Sequence, residues 1–333
     1  MEAGLVGQTR GLFATYDAIQ AGPLNGVRIP RRILSLARIG IGILQTLRLI
    51  AQYRPFALFI TGGFVTFPVA VACWLRRVPI AIYLPDIEPG QAIKATAALA
   101  KIILVTTHES DAFFKPGKTI ETGYPLRADL LNATRQIGVA TFGLDPARKT
   151  LLVFGGSRGA RSINAAVTSH IADILALGVQ VIHVSGERDW PSVKAILDRL
   201  APDDRQHYHV QPYLHGTMGF ALAAADLAVS RAGASALGEL PFFGLPAILI
   251  PYPYAWRYQK VNADFLVNRG AAIRIDDERL SSELVPLIKA LLTDSDRLSA
   301  MQQASASLAR PDGAKNIAAA LLNLRPKGAQ AGR

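Results

Sequence analysis

Two strand-to-helix turns hold the residues best suited to chemistry. In the first, the apolar run Leu151-Leu152-Val153-Phe154 passes into Gly155-Gly156-Ser157-Arg158-Gly159-Ala160-Arg161, and a helix is predicted from about Ser162. Glycines at such a turn let the backbone approach an anion, and the free N–H groups and dipole of the next helix favour phosphate there. The run is neither a P-loop, lacking the Gly-Lys-Ser/Thr ending, nor GxGxxG, and a tight turn without a ligand explains the same letters. In the second, Ser230-Arg231-Ala232-Gly233-Ala234-Ser235-Ala236-Leu237-Gly238-Glu239 follows another apolar run, and Gly233 and Ala234 would start a helix carrying Glu239. A carboxylate there can accept both hydroxyls of a ribose whose phosphates lie at the helix start, although by itself it reads equally well as a solvated helix residue.

Other chemistries find little support. The single cysteine, Cys73, rules out a disulfide scaffold and a Cys-based zinc site and fits a reducing compartment. Six histidines show no HExxH spacing; His207 and His209 would share one strand face and read as paired surface histidines, so no metal is expected.

The elements that must position these turns are those of an α/β protein. Short apolar runs alternate with helical stretches, the pattern of parallel sheets. Strands are predicted at 56–60, 80–83 and 102–106 in the first half, and at 150–154, 179–184, 207–211, 227–230, 247–251 and 272–275 in the second. The second set completes a Rossmann-like sheet; the first makes half of one. Gly143-Leu144-Asp145-Pro146 is a turn before a new strand. The division is therefore 1–145 for an incomplete first domain and 146–309 for the second. A terminal helix, 310–324, is expected to pack back on the first domain, ahead of a disordered tail, 325–333. A length of 333 residues suits two domains, and 50% hydrophobic against 18% charged residues excludes intrinsic disorder.

Charge is uneven. Of the formal +11, residues 1–77 carry +7, with nine arginines against Glu2 and Asp17. A basic end implies an anionic partner, a membrane surface or nucleic acid, and no helix-turn-helix, zinc finger or aromatic RNA-binding signature favours the latter. Residues 1–20 lack the cationic start and apolar block of a secretory signal. The best spanning candidate, Phe56 to Leu75, contains Gly62-Gly63 and Pro68 and reads as strand, glycine turn and helix. A cytosolic or peripheral protein is expected. From Arg31 to Gln52 a polar stripe of Arg31, Ser35, Arg38, Gly42 and Gln45 recurs at helical spacing, with Ile and Leu over most of the rest. Such a helix, with Arg31, Arg32 and Arg38 at its edge, suits a bilayer surface; packing on its own sheet with arginines at the rim is the other reading.

Taken together, Gly155 to Arg161, the Arg231–Glu239 block, Gly244-Leu245-Pro246 and Gln259 through Asn262-Ala263 resemble the MurG family over about residues 25–322. The resemblance implies two Rossmann-like domains facing across a cleft, the glycosyltransferase B-type fold. It implies transfer of N-acetylglucosamine from UDP-GlcNAc to a polyprenyl-diphosphate-linked muramoyl-peptide, without a metal or cofactor, by an inverting hexosyltransferase of peptidoglycan synthesis. It further implies that Ser157 contacts the sugar nucleotide and that Ala234, Ser235, Ala236, Leu237, Gly238 and Glu239 hold its diphosphate and ribose. Leu214 matches the position whose backbone meets the uracil. Arg127 matches a family arginine, although Tyr124 replaces the usual Asn; Gln259 matches a glutamine that reads sugar hydroxyls, although Tyr258 departs from a Gln-Gln pair. In the first half, Thr61-Gly62-Gly63-Phe64-Val65-Thr66-Phe67-Pro68 resembles the loop for the acceptor's diphosphate, through Gly62, Gly63 and Thr66. Family members lie peripherally on the cytoplasmic membrane, which favours the bilayer reading of the arginine-flanked helix.

Two departures stand out. The family's first glycine loop, a Gly-Gly-Thr-Gly-Gly-His run, has no counterpart, and its His-Glu-Gln-Asn segment is replaced by Pro85-Asp86-Ile87-Glu88. A hydroxyl acceptor needs a general base, typically worth ~10²–10⁴-fold. Asp86 and Glu88 are the candidate carboxylates there, and Asp86 could serve as the base, against the plainer reading of a solvated loop carboxylate. The first strand, its loop and the next helix are expected to be missing, with Met1 an internal methionine of a longer frame or a partner chain supplying them. Two alternatives remain: a sugar-nucleotide-binding or membrane-docking protein with impaired catalysis, and a UDP-GlcNAc 2-epimerase.

Overall fold

A computed structural model describes residues 13–23, 28–156, 160–254 and 258–326. The described residues form two all-parallel sheets. The first has the order β1 (Leu58–Ile60), β2 (Ile80–Leu84), β3 (Ile102–Val105), β4 (Thr119–Glu121). The second contains β5 (Thr150–Phe154), β6 (Gln180–Val184), β7 (Tyr208–Gln211), β8 (Leu227–Ser230), β9 (Ala247–Leu249) and β10 (Ala272–Arg274), in the order β10-β9-β8-β5-β6-β7. Central strands such as β2 are buried at every position, because helices cover both faces of a parallel sheet; this is why they read as continuous apolar runs. The predicted strands all form, most of them shorter by a residue or two. β4 was not predicted: it is three residues long, and its Ile120 is exposed.

In the second sheet the chain builds outward from β5 to β7, then returns to the other side of β5 with β8. The direction of winding reverses between β5 and β8, leaving a crevice at their carboxyl ends, where open α/β sheets bind ligands. Phe154 pairs with Ser230 at those ends, so both glycine turns leave the sheet side by side.

Residues 126–144, assigned above to the first domain, pack on the second sheet. Leu126, Leu130 and Leu144 share a core with Leu152, Ala228 and Leu237, and Arg135 pairs with Asp226. Gly138 permits this: a Cβ there would lie 2.2 Å from the Phe220 carbonyl oxygen. By packing, the division falls before Leu126 rather than at 145. The helix Gly313–Leu322 lies against the first sheet, with Ile317 against Tyr83 and Leu104 and Asn316 donating to the Thr122 carbonyl. Most of the expected tail, 327–333, lies outside the described residues, as do 1–12.

The helix Ile29–Tyr53 starts on Pro30, whose missing N–H costs nothing at that position. Its buried stripe is Ser35, Ile39, Gly42, Thr46 and Ile50, so part of the expected polar stripe faces inward while Arg31, Arg32 and Arg38 stay exposed. Small residues win the inner face because neighbouring chain comes very close. A Cβ on Gly42 would meet the Gln20 carbonyl oxygen at 2.0 Å and Pro68 at 3.3 Å. Ile29, Ile33, Leu34, Leu36, Ile41 and Leu44 are left exposed.

Candidate functional site

The crevice between β5 and β8 opens into two joined hollows. A smaller one, about 210 Å³, is lined by Arg127, Gly155, Gly156, Leu214, Ser235 and Glu239 among others. A larger one, about 880 Å³, shares Phe154, Gly155, Gly156 and Ser235 with it and adds Arg161, Arg188, Arg231, Gly233 and Gln259. Arg127, Leu214, Ser235, Glu239 and Gln259, widely separated in sequence, thus meet along one cleft. Ser157 lies outside the described residues.

The 234–239 block divides into two faces. A turn, closed by Ala236 N–H to the Gly233 carbonyl and Leu237 N–H to the Ala234 carbonyl, leads into the helix Ala236–Phe242. Ser235 and Glu239, four residues apart, face the cleft, whereas Ala236 and Leu237 are buried. Gly238 packs on the first half, where a Cβ would lie 2.4 Å from Tyr124 Cβ. Any contribution of Ala236, Leu237 and Gly238 to a ligand is therefore through backbone. Glu239 is half-buried rather than solvated. Burial raises its carboxyl pKa, while the exposed Arg127 guanidinium and the Ser235 hydroxyl lower it. Gln259 Oε1 accepts from Tyr252 N–H at 2.8 Å, which fixes its amide at the rim of the larger hollow.

Arg231 is anchored within the fold. It pairs with Asp277 at 2.5 Å, donates to Ser162 Oγ at 2.7 Å and to the Ile250 carbonyl at 3.2 Å, and lies over the Tyr252 ring. It ties the second turn to the helix Arg161–Ser169 behind the first. Exposed Arg161 and Arg188 supply further positive charge to the larger hollow. Behind the first turn, buried Asn164 donates to the Ser185 carbonyl at 2.8 Å and to Asp189 Oδ2 at 2.9 Å. Its Oδ1 therefore accepts from His183 Nε2, and His183 Nδ1 accepts from the Tyr208 hydroxyl at 2.7 Å. No sequence motif marked His183 or Asn164; a histidine inside an apolar strand was the only signal.

On the first half, Asp86 is not a solvated loop carboxylate. It is half-buried, and its Oδ1 accepts from Asn262 Nδ2 at 2.8 Å; burial raises its pKa and that hydrogen bond opposes the rise. Asn262 also donates to the Ala232 carbonyl at 3.2 Å and accepts the Ile87 N–H at 3.2 Å. One fully buried side chain thus joins the Asp86 loop to the second glycine turn. Glu88 is buried beside Lys94, Nζ to Oε1 3.5 Å. Gly62 and Gly63 take positive φ, 115° and 89°, as the predicted turn requires. The Thr66 hydroxyl donates back to the Gly63 carbonyl at 2.7 Å and locks that turn. His207 and His209 are half-buried, and among the described residues no His, Cys, Asp and Glu cluster has the makings of a metal site.

Residues 150–317 match the glycosyltransferase family 28 C-terminal domain. The UDP-N-acetylglucosamine–N-acetylmuramyl-(pentapeptide) pyrophosphoryl-undecaprenol N-acetylglucosamine transferase of Roseiflexus sp. (strain RS-1) is 39% identical, over 96% of this chain and 80% of its own. Its namesake in Halothermothrix orenii is 38% identical, over 89% and 82%. In fold, the crystal structure of Acinetobacter baumannii MurG matches with a TM-score of 0.73 at 20% identity, over 97% of this chain and 88% of the other. A UDP-GlcNAc 2-epimerase from Neisseria meningitidis, bound to UDP-GlcNAc, matches less well, with a TM-score of 0.62 at 13% identity over 90% and 84%. On sequence identity maintained over most of both chains, this protein belongs to the MurG family of glycosyltransferases.

Proposed function

We propose that this protein transfers N-acetylglucosamine from UDP-GlcNAc to the muramyl-pentapeptide pyrophosphoryl-undecaprenol acceptor, converting lipid I to lipid II. The observation that carries this reading is the cleft at the β5/β8 switch point, where Leu214, Ser235, Glu239, Arg127 and Gln259 converge on two glycine turns. Uracil is assigned to Leu214, the ribose hydroxyls to Glu239, the diphosphate to the turn backbones, and the sugar to Gln259. In an inverting transfer the acceptor hydroxyl attacks the anomeric carbon from the face opposite UDP, the bond to the diphosphate breaks, and the hydroxyl proton passes to a base. Asp86 is the candidate for that base. Asn262 holds it beside the second glycine turn, and burial raises its proton affinity, which a base needs, against the opposing Asn262 hydrogen bond. The acceptor's diphosphate is assigned to the Gly62–Gly63 turn.

The reaction is placed in peptidoglycan synthesis, and so in cell-wall growth, cell shape and division, at the cytoplasmic face of the membrane. The exposed Ile and Leu side chains of the helix Ile29–Tyr53, with Arg31, Arg32 and Arg38 beside them, support a peripheral membrane contact. This helix is also long and apolar enough to cross a membrane, but its inner stripe is packed on the protein.

The direct test is UDP release with and without the lipid-linked acceptor in detergent. Acceptor-dependent release and a disaccharide-linked lipid product are expected. Tight UDP binding with no transfer to any lipid-linked acceptor would instead favour a sugar-nucleotide-binding protein with impaired catalysis. Release of 2-acetamido-sugar isomers without acceptor would favour the epimerase.

A further inference from the structure

Beside the Gly62–Gly63 turn lies a second, differently built cavity of about 260 Å³. Pro23, Ile39, Phe64, Phe67, Ala92 and Ala95 line it together with Gln91, whose amide is the one polar side chain among its described lining residues, and none of these is charged. Its walls are held firmly. The segment carrying Gly22 and Pro23 is pinned to the helix Ile29–Tyr53 by Gln20 N–H donating to Gln45 Oε1 at 2.8 Å. At Gly22 a Cβ would meet Ser35 Oγ at 2.7 Å, so the contact there is as close as glycine allows. The opposite wall is the helix Gln91–Thr96. The mouth is at the surface, since Phe64 is 54% exposed and Val65 beside it 37%.

Phe64 directly follows Gly63, so the cavity begins within one residue, about 3.8 Å along the chain, of the turn. In a polyprenyl diphosphate the first isoprene carbon is bonded to a phosphate oxygen. A diphosphate held at the turn therefore delivers its first isoprene units to Phe64 and Phe67. With no charged side chain and a mostly apolar lining, broken only by the Gln91 amide, the cavity suits such a chain better than the charged phosphates. We infer that this cavity is a subsite for the first isoprene units of the lipid acceptor. The inference rests on the acceptor assignment under Proposed function, and it differs from the membrane contact, which uses the outward face of the helix Ile29–Tyr53.

The test compares two acceptors with the same sugar, peptide and diphosphate, one carrying a polyprenyl chain and the other an ethyl group, in detergent without a bilayer. Ala95→Trp fills the cavity from an exposed position, and Ala95→Leu fills it more mildly should the larger side chain disturb folding; a thermal melt and UDP calorimetry establish that each variant is folded. The expected result is a fall of about tenfold in kcat/KM for the polyprenyl acceptor, the loss for roughly two methylene groups returned to water, with a less than twofold change for the ethyl acceptor. Equal losses with both acceptors, or none with either, overturn the subsite while leaving the transfer reaction standing. If the wild-type protein transfers to neither acceptor, the acceptor assignment itself falls and the subsite with it.

Discussion

Asn262 and Asp86, 176 residues apart in sequence, are joined by a 2.8 Å hydrogen bond between the two halves of the protein, and Asn262 Oδ1 takes up the Ile87 N–H on the same loop. The carboxylate on the first half is thus positioned by a helix of the second. Asn262→Ala would strand the buried Ile87 N–H, at a cost of about 1–3 kcal/mol in stability. It would also free the Asp86 loop, so kcat should fall more than the KM for UDP-GlcNAc. Asn262→Asp would place a second carboxylate beside Asp86, and the repulsion should make this variant less stable near neutral pH and recover part of the loss on acidification. Thermal melts over a pH series with steady-state kinetics check both; a kcat unchanged in Asn262→Ala would remove the positioning role.

Glu239→Ala should weaken UDP binding by about 1–3 kcal/mol, the scale of a lost charged hydrogen bond. The ionised carboxylate accepts from both ribose hydroxyls more strongly than the protonated acid does. Because burial is the largest influence on its pKa and raises it, affinity should fall with acidification at a higher pH than for an ordinary carboxylate. Calorimetry with uridine, which has no phosphate to titrate, reads this directly. Glu239→Gln should flatten the profile; an unaltered profile would dissociate Glu239 from the ribose.

Binding to anionic vesicles should be salt-sensitive and weaken when Arg31, Arg32 and Arg38 are changed to Glu, each arginine contributing about 1 kcal/mol near such a surface. Leu36→Ser with Leu44→Ser, on the exposed face of the same helix, should weaken it without changing the salt dependence. Vesicle sedimentation distinguishes the two contributions. Binding indifferent to all five substitutions would leave this helix as a packing element only.

Complete burial pushes the His183 imidazole down to about 3, from an ordinary 6.5. Between those values the unfolded chain binds the extra proton, so stability should be intact above about pH 6.5 and fall as pH drops towards 3. The slope contributed by this one group is at most about 1.4 kcal/mol per pH unit. Urea midpoints at pH 7 and 5.5 measure it. His183→Gln should be less stable at pH 7, having lost its fit between Asn164 and Tyr208, yet show a shallower pH dependence; an undiminished slope would assign the acid sensitivity to other groups.

Gly238→Ala is expected to destabilise by about 1–3 kcal/mol, because its Cβ would fall 2.4 Å from Tyr124 Cβ. Tyr124→Gly in the same chain should restore much of the loss. A double variant no more stable than Gly238→Ala would show that the contact is not what opposes the methyl group.

The amino-acid sequence determined the strands, because parallel strands buried on both faces need uninterrupted apolar runs, as at Leu151 to Phe154. It also determined the glycine turns, since two consecutive positive φ values at Gly62 and Gly63 exclude most other residues. Ser235 and Glu239 were legible because they lie in the second glycine turn, whereas Arg127, Leu214 and Gln259, far from it in sequence, were named only by the family resemblance, and folding brings them to the same cleft. Tertiary structure alone decided the rest. Which stripe of the helix Ile29–Tyr53 faces inward depends on how closely Gln20 and Pro68 approach Gly42, a property of distant chain that helical periodicity does not contain. Residues 126–144 side with the second sheet because Gly138 allows close contact at Phe220. The state of Asp86, too, was set from outside its own segment: Pro85-Asp86-Ile87-Glu88 reads as an open loop, and only folding brings the buried Asn262 to its half-buried carboxylate.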